Sequence, residues 1–307
     1  MTFDILVIHM RLLECVPNIS EGKDEKKIAL ITEEVKRCKG VKLLDVSSDK
    51  DHHRSVLTFI GEPETIKDAA VSMALKAIEL IDMREHHGAH PRLGAVDVVP
   101  FVPIQGVEMK EAVEVARELG KELGRQGVPV FYYEEAATSP DRRELPSIRK
   151  GEYEGLEEKL RDPKWKPDEG PKGFNPKSGA TVVGARFSLV AYNVNLKTKD
   201  LNIAKEIAKK VRFKDGGLPH VRAMGVDLKE KGMVQVSMNL TNYRVTGIPK
   251  VFDFIREEAL KKGVEIGESE IVGLIPLGVL EGIAEHYIKY PKFSMRQVIE
   301  QRILEFE

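Results

Sequence analysis

The sequence predicts an α+β protein made of two similar units, and three observations carry that reading. Short apolar runs alternate with longer stretches of helical period, and the order β-α-β-β-α-β occurs twice. A proline- and glycine-rich stretch, residues 163–178, lies between the two series. The 307 residues suffice for two units of roughly 150 residues, each able to bury a core. The units are expected at residues 10–178 and 179–307.

Residues Leu12 to Pro17 form the first strand, and Asn18 to Lys23 a turn rich in Asn, Ser and Gly. Glu25 to Cys38 is an amphipathic helix with Ile28, Ile31 and Val35 on one stripe, and Gly40 is its stop. Val41 to Val46 and Ser55 to Ile60 are strands about a polar turn, Ser47 to His52. Pro63 sits in the first turn of a helix running to Met83, a position that tolerates proline. Ala95 to Phe101 is a strand, Glu108 to Leu123 a helix and Val128 to Tyr133 a further strand.

In the second series, Phe187 to Leu196 is a strand and Lys199 to Lys210 a helix. Val221 to Leu228 and Met233 to Asn239 are strands about a turn at Lys229–Gly232. Pro249 to Lys262 is a helix, Gly263 to Gly273 contains a strand, and Leu277 to Tyr287 and Ser294 to Leu304 are helices. Each series is a split β-α-β unit, the ferredoxin-like arrangement. The halves share this pattern without evident sequence identity. In the segment between them, Trp165 and Phe174 are more aromatic than a plain linker requires, which favours an anchored functional loop.

Composition narrows the functional classes. Hydrophobic residues at 42% and charged residues at 32% suit a soluble chain with a core. A net charge of −1 gives no basis for bulk nucleic-acid or anionic-membrane binding. Cys15 and Cys38 are spaced neither as a metal knuckle nor as a redox pair, and two free thiols point to the cytoplasm. Met1 to Met10 is too short to span a membrane and lacks signal-peptide features, and Met10 is expected to be the true start. Asn and Gln are scarce beside Lys and Glu, a thermophile's balance.

The segment His86-His87-Gly88-Ala89-His90-Pro91-Arg92-Leu93-Gly94-Ala95 holds three of the eight histidines. Its Gly and Pro break helical geometry, so it is a loop between a helix and a strand. Imidazole both takes and gives a proton near neutral pH, Pro91 biases His90 to extended backbone, and Arg92 is a permanent cation suited to a carboxylate. Two other readings stay open. The i, i+4 pair His86 and His90, with Asp82 or Asp97, suggests a metal site, although the loop context opposes it; alternatively the histidines fill a polar loop. Asp51-His52-His53-Arg54 heads a strand and reads equally as a solvated edge. Cys15 is a core thiol rather than a nucleophile. No nucleophile elbow, Walker loop or dinucleotide fingerprint occurs in a suitable context.

Several blocks in one order resemble the glutamate formiminotransferase family. They are Glu14-Cys15-Val16-Pro17-Asn18-Ile19-Ser20-Glu21-Gly22; the stretch from His86 to Phe101 built on His90-Pro91-Arg92; Leu145-Pro146-x-Ile148-Arg149-x-Gly151-Glu152-Tyr153-Glu154; Gly179-Ala180-Thr181-x-x-Gly184-Ala185-Arg186; and Val272-Gly273-Leu274-Ile275-Pro276-Leu277. The resemblance runs from about residue 12 to residue 290.

The resemblance implies two ferredoxin-like subdomains with a folate tunnel between them, a homodimer, and transfer of a formimino group from N-formimino-L-glutamate to N5 of tetrahydrofolate, the co-substrate, in histidine degradation and one-carbon metabolism. It places the catalytic acid/base on His90 and requires no metal. The folate-contacting loop falls on Asp168, Glu169, Gly170, Pro171, Lys172, Gly173, Phe174, Asn175, Pro176 and Lys177. Arg54, Arg92 and Arg186 are candidates for carboxylate binding or transition-state electrostatics. Vertebrate relatives carry a cyclodeaminase domain after this unit, so that activity is expected on a separate protein. Two positions depart from the family pattern: His53 stands where Asn is expected, and Ser47 where animal relatives have aspartate. They open alternatives of the same fold, acting on N-formyl-glutamate or 5-formyltetrahydrofolate. Readings of another class are a non-catalytic folate-binding module and a metal-dependent amidohydrolase on the three histidines.

Overall fold

The computed structural model describes residues 11–88, 90–299 and 301. The first unit contains β1 (Leu12–Cys15), β2 (Asn18–Ile19), α1 (Glu25–Arg37), β3 (Val41–Asp49), β4 (Arg54–Gly61), α2 (Pro63–Leu80), β5 (Val96–Gln105), α3 (Met109–Arg125), β6 (Val130–Glu134), the short helices α4 (Leu145–Arg149) and α5 (Leu156–Lys159), and β7 (Thr181–Ala185). Local chemistry sets the boundaries. Asp24 caps α1 by accepting from the Lys26 and Lys27 amides at 2.9 and 3.1 Å, and Ile28, Ile31 and Val35 are buried as the stripe predicts. Pro63 opens α2, where a missing N–H costs nothing.

The sheet carries the ferredoxin-like order β5–(β1, β2)–β4–β3, all antiparallel. It then extends: β7 pairs parallel to β5, and β6 parallel to β7. Strand β7 was not expected, because Thr181-Val-Val-Gly-Ala is buried throughout and so lacks alternation. It belongs to the first sheet, and the chain therefore divides between Arg186 and Phe187 rather than after Ser178. Strand β3 also outruns its expected end at Val46. Ser47, Ser48 and Asp49 pair with Val56, Ser55 and Arg54, and the tight turn moves to the residues after Asp49. An edge strand needs only backbone pairing, so polar residues do not stop it.

Two cores flank this sheet. Helices α1, α2 and α3 bury one face around Phe59, Phe101, Met73 and Leu119. Across β5, β7 and β6 the opposite face packs Val98, Phe131, Tyr133 and Val182 against Ile148 of α4, Leu156 of α5, and the partly buried Trp165 and Phe174. The proline-rich segment is thus anchored on the sheet.

The second unit contains β8 (Val190–Leu196), α6 (Leu201–Val211), β9 (Val221–Leu228), β10 (Met233–Leu240), α7 (Ile248–Lys261), β11 (Ile266–Val272) and α8 (Leu277–Ile288). Its antiparallel sheet has the order β11–β8–β10–β9, the ferredoxin-like order again, over a core of its own. Gly232 closes the β9–β10 connection in the left-handed region. The expected start at Met10 lies outside the described residues, as do residues 300 and 302–304 of the helix expected from Ser294 to Leu304. Of that helix, the described residues include a short 3-10 turn at Met295–Gln297.

Candidate active site

The histidine loop joins α2 to β5 and lies against the turn between β3 and β4. Contact is close enough to dictate glycine: a Cβ on Gly88 would stand 2.5 Å from the His52 carbonyl oxygen. His86 is buried, accepts at Nδ1 from Arg92 Nε at 3.2 Å, and faces the His53 carbonyl with Nε2 at 2.9 Å, a pattern the neutral Nε2-protonated imidazole satisfies. Burial, chiefly, lowers its pKa.

His90 is half-buried, with its ring edge-on to that of His52 at 6.5 Å between centroids. Its pKa falls to about 3, first through burial and then through the positive charges of Arg54 and Arg149, with His52 and Arg92 adding to them. At neutral pH the imidazole is uncharged, the form that accepts a proton.

Arg54 begins β4, and its Nε is buried without a hydrogen-bond acceptor among the described residues. Burial and then Arg149 lower its pKa, against Asp49 and Asp97. Arg149 ends α4 and offers Nε, at 3.4 Å, and Nη2 to the two oxygens of Asp97. Asp97 is buried and also accepts from the Leu93 amide at 2.9 Å, so it ties α4 to the histidine loop.

Arg92 is placed otherwise. Its buried guanidinium donates from Nη1 to Glu152 at 3.0 Å and Glu154 at 2.9 Å, and from Nη2 to Glu154 at 2.5 Å. These groups, with His87, Gly88 and Gly151, line a cavity of about 400 Å³. The fork is already committed to protein carboxylates. Arg186 donates its amide N–H to the Phe101 carbonyl at 3.0 Å, its side chain hydrogen-bonds Tyr133, and its charge opposes the burial that raises the Glu14 carboxyl.

The segment 168–177 is held at both ends. Asp168 accepts from the Tyr132 amide at 2.9 Å and Thr138 at 2.5 Å, and pairs with Arg142 at 2.8 Å. The Glu169 carbonyl accepts from the Val130 amide at 3.0 Å, and Gly170 packs in the left-handed region against the Val128 carbonyl. Asn175 donates to the Gly127 carbonyl at 3.2 Å, the Pro176 carbonyl accepts from Tyr153 at 2.5 Å, and Lys177 donates to the Glu79 carbonyl at 3.0 Å. Between these anchors Pro171, Lys172 and Gly173 are exposed, and Lys172, Gly173 and Phe174 border a cavity of about 540 Å³ with Leu160 and Arg161.

The candidate metal ligands are otherwise engaged: Asp82 binds Arg84, at 2.8 Å to Nε, and Asp97 binds Arg149. Among the described residues no group of three or more His, Cys, Asp and Glu is arranged to hold a metal ion. Cys15 is fully buried and burial pushes its thiol up, as a core position predicts.

The family model for the formiminotransferase domain, N-terminal subdomain, matches residues 12–186, and that for the formiminotransferase domain matches residues 191–305. The chain belongs to the formiminotransferase family. Its relatives include a glutamate formimidoyltransferase of Thermoplasma acidophilum, 46% identical across 96% of this chain and 98% of the relative. Another, of Streptococcus pyogenes serotype M1, is 42% identical across 96% of this chain and 99% of its own length. A formimidoyltransferase-cyclodeaminase of Sus scrofa is 45% identical across 94% of this chain, which spans 54% of that longer protein.

In this formiminotransferase the two departures from the family pattern fall in different surroundings. Ser47 is an exposed residue of β3 opposite Val56. His53 adopts a φ of 49°, in the left-handed region that asparagine and histidine both enter more readily than most residues. Its Nε2 meets Glu21 at 3.0 Å, its Nδ1 meets the His87 carbonyl at 2.9 Å, and its ring stacks on His86 at 4.3 Å. Burial raises the Glu21 carboxyl, but the Asp24 and Lys23 amides and His53 outweigh it, so its pKa is lowered. Glu21, Arg149, Glu152 and Glu154 were not singled out as site residues, although all lie in the blocks that carry the resemblance. A charge inside such a block was the available signal.

Proposed function

We propose that this formiminotransferase moves the formimino group of N-formimino-L-glutamate to N5 of tetrahydrofolate, giving 5-formiminotetrahydrofolate and glutamate, with His90 as the acid/base. The observation that carries the assignment of His90 is its half-buried place in the loop, with its ring 6.5 Å from that of His52 and with Arg54 and Arg149 acting on it to favour the uncharged imidazole. In this form it accepts the N5 proton as N5 attacks the formimino carbon. The tetrahedral intermediate then collapses as the carbon–nitrogen bond to glutamate breaks, and the same imidazole returns the proton to the departing nitrogen. Protonation of the formimino group makes its carbon electrophilic, so no step calls on a metal. Juxtaposing two bound substrates supplies much of the rate.

In this reading the segment 168–177 contacts the folate. Support comes from its fixed ends and its exposed middle beside a cavity of about 540 Å³. Arg54 serves a substrate carboxylate, supported by its buried, unpartnered Nε. Arg92 adds a minor charge at His90 and chiefly braces the loop through His86, Glu152 and Glu154, and Arg186 remains a candidate for a second carboxylate. The cell context proposed is the cytoplasm of a thermophile, as a homodimer. Light scattering on the purified protein tests the dimer.

The deciding experiment is an absorbance assay with tetrahydrofolate, run with N-formimino-glutamate and with N-formyl-glutamate, wild type beside His90→Ala. Turnover of the formimino donor by the wild type, lost in a variant that still binds folate, is the expected result. Folate binding with no turnover of either donor by the wild type would favour a binding module.

A further inference from the structure

We infer that Arg149 is a substrate-binding residue which, together with Arg54, receives the α-carboxylate of the donor beside His90. The inference rests on the reading of the reaction given above. Arg149 stands at the end of a five-residue helix, and two independent devices fix it there. Asp97 takes up its Nε and Nη2 edge and is itself held by the Leu93 amide, three residues beyond His90 in the same loop. Behind it, Lys159 Nζ donates to the carbonyls of Ser147 at 3.1 Å, Ile148, and Lys150 at 3.0 Å, closing the C-terminal end of α4. Lys159 is pressed in turn on the Trp165 ring, 4.0 Å from its centroid. A half-buried lysine spent on backbone carbonyls holds a guanidinium in place, and among the described residues the hydrogen bonds of that fork go to Asp97 from Nε and Nη2, leaving the Nη1 edge for a ligand.

Arg54 supplies the second half. A buried guanidinium N–H without an acceptor among the described residues is costly, and its place beside His90 makes a bound anion the acceptor that fits. Two like charges near each other and near His90 are unfavourable in the free protein, and an anion relieves both. The α-carboxylate is the fitting one, because it is carried on the carbon that bears the formimino nitrogen. A receptor for it must therefore adjoin the group that protonates this nitrogen. The γ-carboxylate lies farther along the chain of the donor. A bound carboxylate also offsets the positive charges that depress His90, which favours its protonated form once the donor is in place.

The test is a cycle in enzyme and substrate. Wild type and Arg149→Gln are assayed with N-formimino-glutamate, with the analogue whose α-carboxyl is an amide, and with the analogue whose γ-carboxyl is an amide. The α-amide should cost the wild type about ten- to a hundredfold in kcat/KM, the size of a lost charge-assisted pair. Arg149→Gln should lose a similar factor on the true donor, little more on the α-amide, and nothing in its KM for tetrahydrofolate. Additive losses, or a loss confined to the folate KM, would overturn the inference. Should Arg149→Gln fold poorly, Arg149→Lys, which keeps the charge and loses the fork, takes its place in the cycle. Should the wild type turn over no donor, calorimetric binding of glutamate still decides. Binding lost in the variant supports the receptor although the proposed reaction fails, and unchanged binding refutes it.

Discussion

His90 and Arg92 are two residues apart and meet opposite electrostatic conditions. Burial and neighbouring arginines hold His90 uncharged, whereas Arg92 is neutralised by Glu152 and Glu154. The His90 shift has a consequence for stability. Its folded pKa is about 3 against an unfolded value of 6.5, so between those values the unfolded chain binds the extra proton. Stability from this group is present above pH 6.5 and is lost as pH falls toward 3. Urea melts should therefore show His90→Gln losing less stability than the wild type between pH 6.5 and pH 4, and a parallel loss would refute the shift. For Arg92, Arg92→Met leaves two carboxylates without their buried partner. It should cost about 2–3 kcal/mol by urea denaturation, since the partners are themselves partly hydrated.

At the scale of elements, the histidine loop depends on close backbone approach and α4 on its lysine collar. A Cβ at Gly88 collides with the His52 carbonyl and the His53 side chain, so the loop must shift. Gly88→Ala should lower kcat/KM by about a hundredfold while far-UV circular dichroism is unchanged, as small misplacements of reacting groups cost that much. Lys159→Met frees three carbonyls and should loosen α4. Hydrogen exchange ought to rise at the amides of residues 147–150, with about 1–3 kcal/mol lost in global stability. The long helices were the most legible elements, because Ile28, Ile31 and Val35 repeat at helical spacing and Pro63 marks a start, whereas the short α4 and α5 are too brief to show a period. Strand β7 and the two-residue β2 were not, because neither shows the alternation by which a strand declares itself.

In the whole molecule, two ferredoxin-like sheets each carry their own core. Residues 187–307 should therefore fold alone, giving a dispersed amide spectrum and a cooperative urea transition; a collapsed, undispersed spectrum would show that the second core needs the first unit. By itself the sequence determined the repeated β-α-β-β-α-β order, the anchored proline-rich segment and the loop bearing His90, because periodicity, proline and glycine act over a few residues. It also carried the family resemblance, which lies in ordered local blocks. Only the tertiary structure decided that Arg92 is consumed by Glu152 and Glu154, that β7 completes the first sheet, and that Arg149 reaches Asp97 from 52 residues away. Those outcomes depend on which charges meet after the chain has closed on itself, and no local pattern encodes that meeting.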